Sequence, residues 1–140
     1  MTSVLVVDDN PLIRALLRRL LEEHGLTVHT ADDGAQGLRA HQRHLPDLVI
    51  MDLSMRGMDG FTAIRALRAN QQKARLNIIA LSAGADPGDK QRGLTAGADR
   101  VLVKPVVETA LLEEIAILLE SRGAAFGEPS GVRRLSLIHI

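Results

Sequence analysis

Five short apolar runs punctuate the chain: Val4–Val7, Thr27–Thr30 with its neighbours, Leu48–Met51, Ile78–Leu81 and Val101–Val103. Most are continuous rather than alternating, which predicts strands of a parallel sheet covered on both faces. Thr27–Thr30 is the most polar run and belongs at an edge. Between the runs, apolar residues recur at helical spacing. The first such stretch has Asn10 as N-cap, Pro11 in the first turn and Gly25 past the end. It sets Ile13, Leu16, Leu17, Leu20 and Leu21 on one face and leaves Arg14, Arg18, Arg19, Glu22 and Glu23 mostly toward water. The last, about Glu108 to Glu120, aligns Leu111, Leu112, Ile115, Leu118 and Leu119.

The intervening helices are weaker. Residues 34–43 offer Ala35 and Leu38. Residues 60–70 offer Phe61, Ile64 and Leu67, after which Arg68 narrows the stripe. Asp59 caps that helix beside Gly60. Residues 88–96 contain Gly88 and Gly93, each costing about 1 kcal/mol of helix propensity relative to Ala, so that segment is expected to be short and mobile. The order is strand–helix five times, and right-handed crossovers give an open, doubly wound α/β sheet.

Composition sharpens this reading. The chain has 140 residues, 46% of them hydrophobic, enough for one domain with a real core. Cysteine is absent, which excludes disulfides, thiolate metal sites and cysteine nucleophiles. Basic and acidic groups balance at 17 each, and only two aromatic residues, Phe61 and Phe126, are present. A basic excess and a base-stacking platform are both missing, so direct nucleic-acid binding is not expected. No apolar run reaches membrane-span length and the N-terminus lacks a signal-peptide pattern, so the expected location is the cytoplasm, without membrane association. After Ser121 the composition changes, and residues 122–131 read as a linker. The apolar end, Leu135 to Ile140, is the start of a missing domain, a docking peptide or a sequence foreign to the natural protein, the last two being favoured.

In doubly wound sheets, ligands bind beyond the carboxyl ends of the strands. Asp8 and Asp9 follow the first strand, Asp52 the third, Ser82 the fourth and Lys104 the fifth. Three carboxylates, a hydroxyl and an ammonium are thus expected on one rim. Clustered carboxylates resist ionising together, and a hard divalent cation such as Mg²⁺ removes that conflict. Asp52, central in the sheet, can serve as a carboxylate nucleophile on phosphorus, with the metal and Lys104 neutralising phosphoryl oxygens and Ser82 donating to one of them.

Taken singly, these residues have ordinary readings. Asp8-Asp9 is turn chemistry, Asp52 a strand-end acid, Ser82 a turn residue and Lys104 a solvated charge. The joint pattern is specific. Val6-Val7-Asp8-Asp9-Asn10, Asp47 through Met55, Gly57-Met58-Asp59-Gly60, Ala80-Leu81-Ser82-Ala83, Ala96-Gly97-Ala98-Asp99 and Val103-Lys104-Pro105 occur in order. In that order and spacing the chain resembles the receiver domain of two-component response regulators over about residues 2–121. The resemblance implies a flavodoxin-like (βα)5 fold with a five-stranded parallel sheet in the order 2-1-3-4-5. Residues 1–121 would form the receiver and 122–140 a linker-like or non-native tail.

The resemblance further implies that Asp52 is the phosphoacceptor, and that Mg²⁺ is bound by Asp8, Asp9, Asp52 and the backbone carbonyl of Ser54. Ser82 would be the switch hydroxyl, and Lys104, followed by a cis bond to Pro105, would contact the phosphoryl group. The donor would be a phosphohistidine on a sensor histidine kinase or a histidine phosphotransfer domain. A downstream protein or a missing output domain would read the change. Such a protein is a signalling switch that phosphorylates itself from its donors, with at most slow autodephosphorylation, and not a turnover enzyme.

Three positions depart from the family pattern. Arg56 replaces a usual proline, Val101 a common aromatic switch residue and Val106 a frequent phenylalanine, so an aromatic relay cannot operate at Val101. These departures give some weight to a degenerate receiver that binds a partner without phosphorylation; the complete acid set with Ser82 and Lys104 argues against it. A phosphatase of the haloacid dehalogenase type fits poorly, because Asn10 stands where its second acid belongs and the chain is too short for a cap domain. Neither a Walker loop nor G-x-G-x-x-G appears. The histidines, including His41 and His44 at helical spacing, read as surface residues, and Arg133-Arg134-Leu135-Ser136 as tail.

Overall fold

The computed structural model describes residues 2–70 and 76–120. The tail predicted over 122–140 lies outside the described residues. Among the described residues five strands alternate with five helices: β1 (Ser3–Val7), α1 (Pro11–Glu23), β2 (Thr27–Ala31), α2 (Gly34–His44), β3 (Leu48–Asp52), α3 (Gly60–Ala69), β4 (Asn77–Ser82), α4 (Asp89–Ala96), β5 (Arg100–Val103) and α5 (Glu108–Glu120). All strands pair in parallel, in the order β2-β1-β3-β4-β5. This is the flavodoxin-like doubly wound arrangement the sequence predicts, with the polar β2 at an edge.

The period-two alternation of strand side chains divides the core. Val4, Val6, Leu48, Ile50, Ile79 and Leu81 face α1 and α5, packing on Leu17, Leu21, Leu111, Ile115 and Leu119. Leu5, Val7, Val49, Met51, Ile78 and Ala80 face the other way, onto Ile64 and Leu67 of α3 and Ala96 of α4. β1, β3 and β4 are covered on both faces, which explains their continuous apolar runs. β5 is the second edge, and Val103 stands 59% exposed.

Capping follows the sequence signals. The Asn10 side chain accepts from Leu12 and Ile13 N–H at the start of α1, and Asp59 accepts from Thr62 N–H at the start of α3. Helix α4 has only eight residues.

Three expectations about exposure need correction. Leu16 is 57% exposed, because the sheet covers only part of the wide apolar stripe of α1; Leu17 and Leu21 fill that contact. Arg14 is only partly exposed, because its Nη1 turns back to donate to the Asp8 carbonyl at 2.7 Å. His41 is buried on the inner face of α2, whereas His44 is exposed, as read from the sequence, and stacks on His29 of β2 with ring centroids 3.7 Å apart. Arg68, which interrupts the apolar stripe of α3, reaches past the core to the lower end of β4 and β5.

Candidate functional site

The register of the sheet assembles the rim. Val7 pairs with Met51, so Asp8 and Asp52 emerge side by side from the two central strands. Main-chain bonds fix their neighbours: Asp8 N–H donates to Ala31 O, Leu53 N–H to Leu81 O at 2.9 Å, and Lys104 N–H to Ser82 O at 2.8 Å. The ends of all five strands are thereby tied into one platform.

Asp8 and Asp52 are buried. Lys104 Nζ sits 3.2 Å from Asp8 Oδ2 and 3.2 Å from Asp52 Oδ1. Asp52 Oδ1 also accepts from Ser54 N–H at 3.0 Å, so Oδ2 is the oxygen these two donors leave free. Asp8 Oδ1 accepts from Asn10 N–H, and Asp9 Oδ2 receives Arg56 N–H at 3.4 Å. One carboxylate oxygen from each of Asp8, Asp9 and Asp52 lies within 4.8 Å of the others. The Lys104–Pro105 peptide is cis.

Burial pushes the Asp52 carboxyl above the usual range. The Ser54 N–H opposes this, Asp8 adds to it, and Lys104 draws it back. For Lys104, burial pulls the ammonium down, but the carboxylates of Asp52 and Asp8 outweigh it and its pKa lies above the ordinary lysine value. Three carboxylates facing one ammonium leave a deficit of positive charge. The donor set is all oxygen and largely preorganised, which suits a hard divalent cation. The residues therefore fit Mg²⁺.

Ser82 behaves differently. It shares the rim, but its strand parity matches Ile78 and Ala80 on the α3–α4 side. Its hydroxyl donates to Asp89 Oδ2 at 3.3 Å and accepts from Gly84 N–H at 3.0 Å. Asp8, Asp9, Asp52 and Lys104 are gathered; Ser82 is beside them and bonded elsewhere. Ser54 contributes its N–H to Asp52.

Two residues at the site were not singled out from sequence. Arg14 braces the Asp8 carbonyl from one helical turn into α1, and only a long donor six residues after an acid hints at that. Asp89 was read as part of a weak helix; its position seven residues after Ser82 carries no local signal. The rim opens on one side to a polar cleft lined by Asp9, Asn10, Asp32, Asp33 and Arg56. On the other side an apolar groove of about 420 Å³ runs between Ile13, Leu16 and Leu20 of α1 and Lys104-Pro105-Val106.

Comparison with known proteins agrees with this architecture. The sequence model for the response regulator receiver domain matches residues 4–116. The chain is similar to the transcriptional regulatory protein PrrA of Mycobacterium tuberculosis, with 40% identity over 86% of this chain and 51% of PrrA. It thus spans about half the length of that relative. Protein PilH of Pseudomonas aeruginosa is 35% identical over 85% of this chain and 98% of its own. Among solved structures, the receiver domain of sensor histidine kinase PA1611 from Pseudomonas aeruginosa superposes with a TM-score of 0.75 at 33% identity, covering 88% of this chain and 98% of that one. That structure holds a magnesium ion coordinated in its active-site cleft.

Proposed function

The chain belongs to the response regulator receiver domain family of two-component signalling, and from that premise we propose that it is a phosphorylatable switch with Asp52 as the acceptor. The observation that carries the proposal is the placement of Asp52: buried at the end of the central strand, one oxygen held by Lys104 and Ser54 N–H, the other free.

An Asp52 oxygen forms a bond to phosphorus while the P–N bond of a phosphohistidine breaks, and the bonding pair leaves with the imidazole. Lys104, already charged and 3.2 Å from Oδ1, the Asp52 oxygen beside the free one, neutralises charge on the transferred group without reorganising. Asp8, Asp9, Asp52 and the Ser54 carbonyl would hold Mg²⁺, which when bound offsets the carboxylate repulsion and screens the phosphoryl oxygens. Ser82 turns its hydroxyl toward the new acceptor oxygens, and the surface around α4, β5 and α5 repacks.

The donor is a sensor histidine kinase or a histidine phosphotransfer domain. The apolar groove beside Lys104, flanked by exposed Leu12 and Leu16, is a place for a donor helix to rest close to Asp52. A downstream protein or an output domain reads the changed surface. The acceptor releases its phosphate slowly, as a switch and not as a turnover enzyme, and acts in the cytoplasm.

Incubation with acetyl phosphate or beryllofluoride, with and without Mg²⁺, tests this. A metal-dependent adduct is expected on the wild-type chain and none on Asp52→Asn. Absence of any adduct by both routes would leave a degenerate receiver that binds its partner without phosphorylation.

A further inference from the structure

The Ser82 hydroxyl has a single proton to give, and in this structure it gives it to Asp89 Oδ2, away from Asp52. Asp89 is the first residue of α4 and the only acid in its first turn. The N-cap residue, Gly88, supplies no side-chain hydrogen bond; its N–H donates to Asp86 Oδ1 at 2.8 Å, so the carboxylates of Asp86 and Asp89 both stand at the positive end of the helix. Its side chain is 14% exposed. Its other oxygen, Oδ1, meets Arg92 Nη1 at 3.4 Å, and the Arg92 guanidinium lies 4.1 Å from the centre of the Phe61 ring in α3. A continuous path therefore runs from Ser82 through Asp89 and Arg92 to Phe61.

Val101 is packed directly under α4 and carries no aromatic ring to swing. A Cβ on Gly93 would come 2.9 Å from Val101 Cγ2, so the backbone of α4 already rests on that valine.

We propose that Asp89 is a positioning residue that holds the Ser82 hydroxyl in its resting orientation and couples α4 and α3 to the state of Asp52. The inference rests on Asp52 being the phosphoacceptor. A phosphoryl group on Asp52 and the carboxylate of Asp89 compete for one hydroxyl proton. When the phosphoryl group wins, Asp89 keeps only Arg92, and the contact of Arg92 with Phe61 is free to readjust. By linkage, weakening the Asp89 acceptor favours the phosphorylated arrangement by the same factor that it disfavours the resting one.

The test is a titration with beryllofluoride in the presence of Mg²⁺, followed by backbone amide resonances, on the full chain. Asp89→Asn replaces a charged acceptor with a neutral one of the same shape. It should bind beryllofluoride about three- to tenfold more tightly, a range set by a charge-assisted hydrogen bond discounted for partial solvent screening. In a Ser82→Ala background the same substitution should change affinity by less than about twofold, since sites that do not interact add. Equal tightening with and without Ser82 would overturn the proposal, as would unchanged or weaker binding of Asp89→Asn. On the wild-type chain, beryllofluoride should shift the Gly84 amide and the Asp89 side-chain carboxyl carbon together. Adduct formation with no Asp89 response counts against the coupling alone, whereas a wild-type chain that forms no adduct removes the acceptor reading and the coupling with it.

Discussion

A methyl group placed on Gly60 would meet the Cα of Leu53, the residue after Asp52, at 2.6 Å. The first turn of α3 thus presses directly on the backbone that carries Asp52. The reason for glycine here is proximity and not an unusual backbone angle. Gly60→Ala must push α3 away from the end of β3. It is expected to destabilise the fold by about 2 kcal/mol or more, as over-packing against a rigid backbone does. Urea unfolding monitored by far-ultraviolet circular dichroism gives the number, and a midpoint unchanged from wild type would show that α3 shifts freely.

Arg68 makes a second structural demand. Its Nη1 donates to Leu76 O at 2.6 Å, its Nε to Gly97 O at 2.8 Å and its Nη2 to Asp99 Oδ2 at 2.9 Å. Asp99 Oδ2 also accepts from Ile78 N–H, so the guanidinium clamps α3 to the beginnings of β4 and β5. Arg68→Ala is expected to cost about 2 kcal/mol. Arg68→Lys should recover less than half of that, because one ammonium cannot reproduce a planar fork with three diverging acceptors. Equal stability of the lysine and arginine proteins would show that charge alone suffices.

Arg68 also marks the boundary of what the sequence discloses. The strands and their order could be anticipated because burial on both faces writes continuous apolar runs, and α1 because Asn10 and Pro11 announce its start. The acids and Lys104 were legible because a parallel sheet brings strand ends together whatever the helices do. Contacts made only after packing were not legible. Nothing local tells that Arg68 folds onto residues 8 to 31 positions away, that Arg14 turns back to Asp8, or that Leu16 lies beyond the reach of the sheet. For Ser82 the strand end was right, but the partner depended on how closely α4 approaches β5.

The corner between β2 and α2 should make the fold sensitive to mild acid. Burial holds the His41 imidazole below the ordinary histidine pKa. Burial does the same for His29, with His44 and Arg18 adding repulsion. A depressed folded pKa means the folded state resists the proton. The stability is present above the unfolded value of about 6.5 and is lost as pH falls through the lower folded values. Melting temperature should fall between pH 7.5 and 5.5 by about 3 °C or more. The double variant His29→Gln, His41→Gln should lose less over the same interval. Parallel pH curves for the two proteins would locate the acid sensitivity elsewhere.

Asp52 carries the opposite sign. Its raised pKa means that folding with the carboxylate ionised is unfavourable at neutral pH and is relieved as pH falls through the folded value. Asp52→Asn removes one of three mutually repelling acids while its amide oxygen can still accept from Ser54 N–H. The metal-free variant should therefore be more stable than wild type at pH 7.5, by about 1 kcal/mol, and this advantage should shrink toward pH 4. Millimolar Mg²⁺ acts on the same repulsion. Bound by the folded chain alone, it should raise the wild-type melting temperature by mass action and raise that of Asp52→Asn less. Calorimetry of both proteins with Mg²⁺ and with EDTA separates the contributions. If Mg²⁺ stabilised the two proteins equally, Asp52 would not be part of the cation site, and the repulsion at the rim would have to be balanced by Lys104 alone.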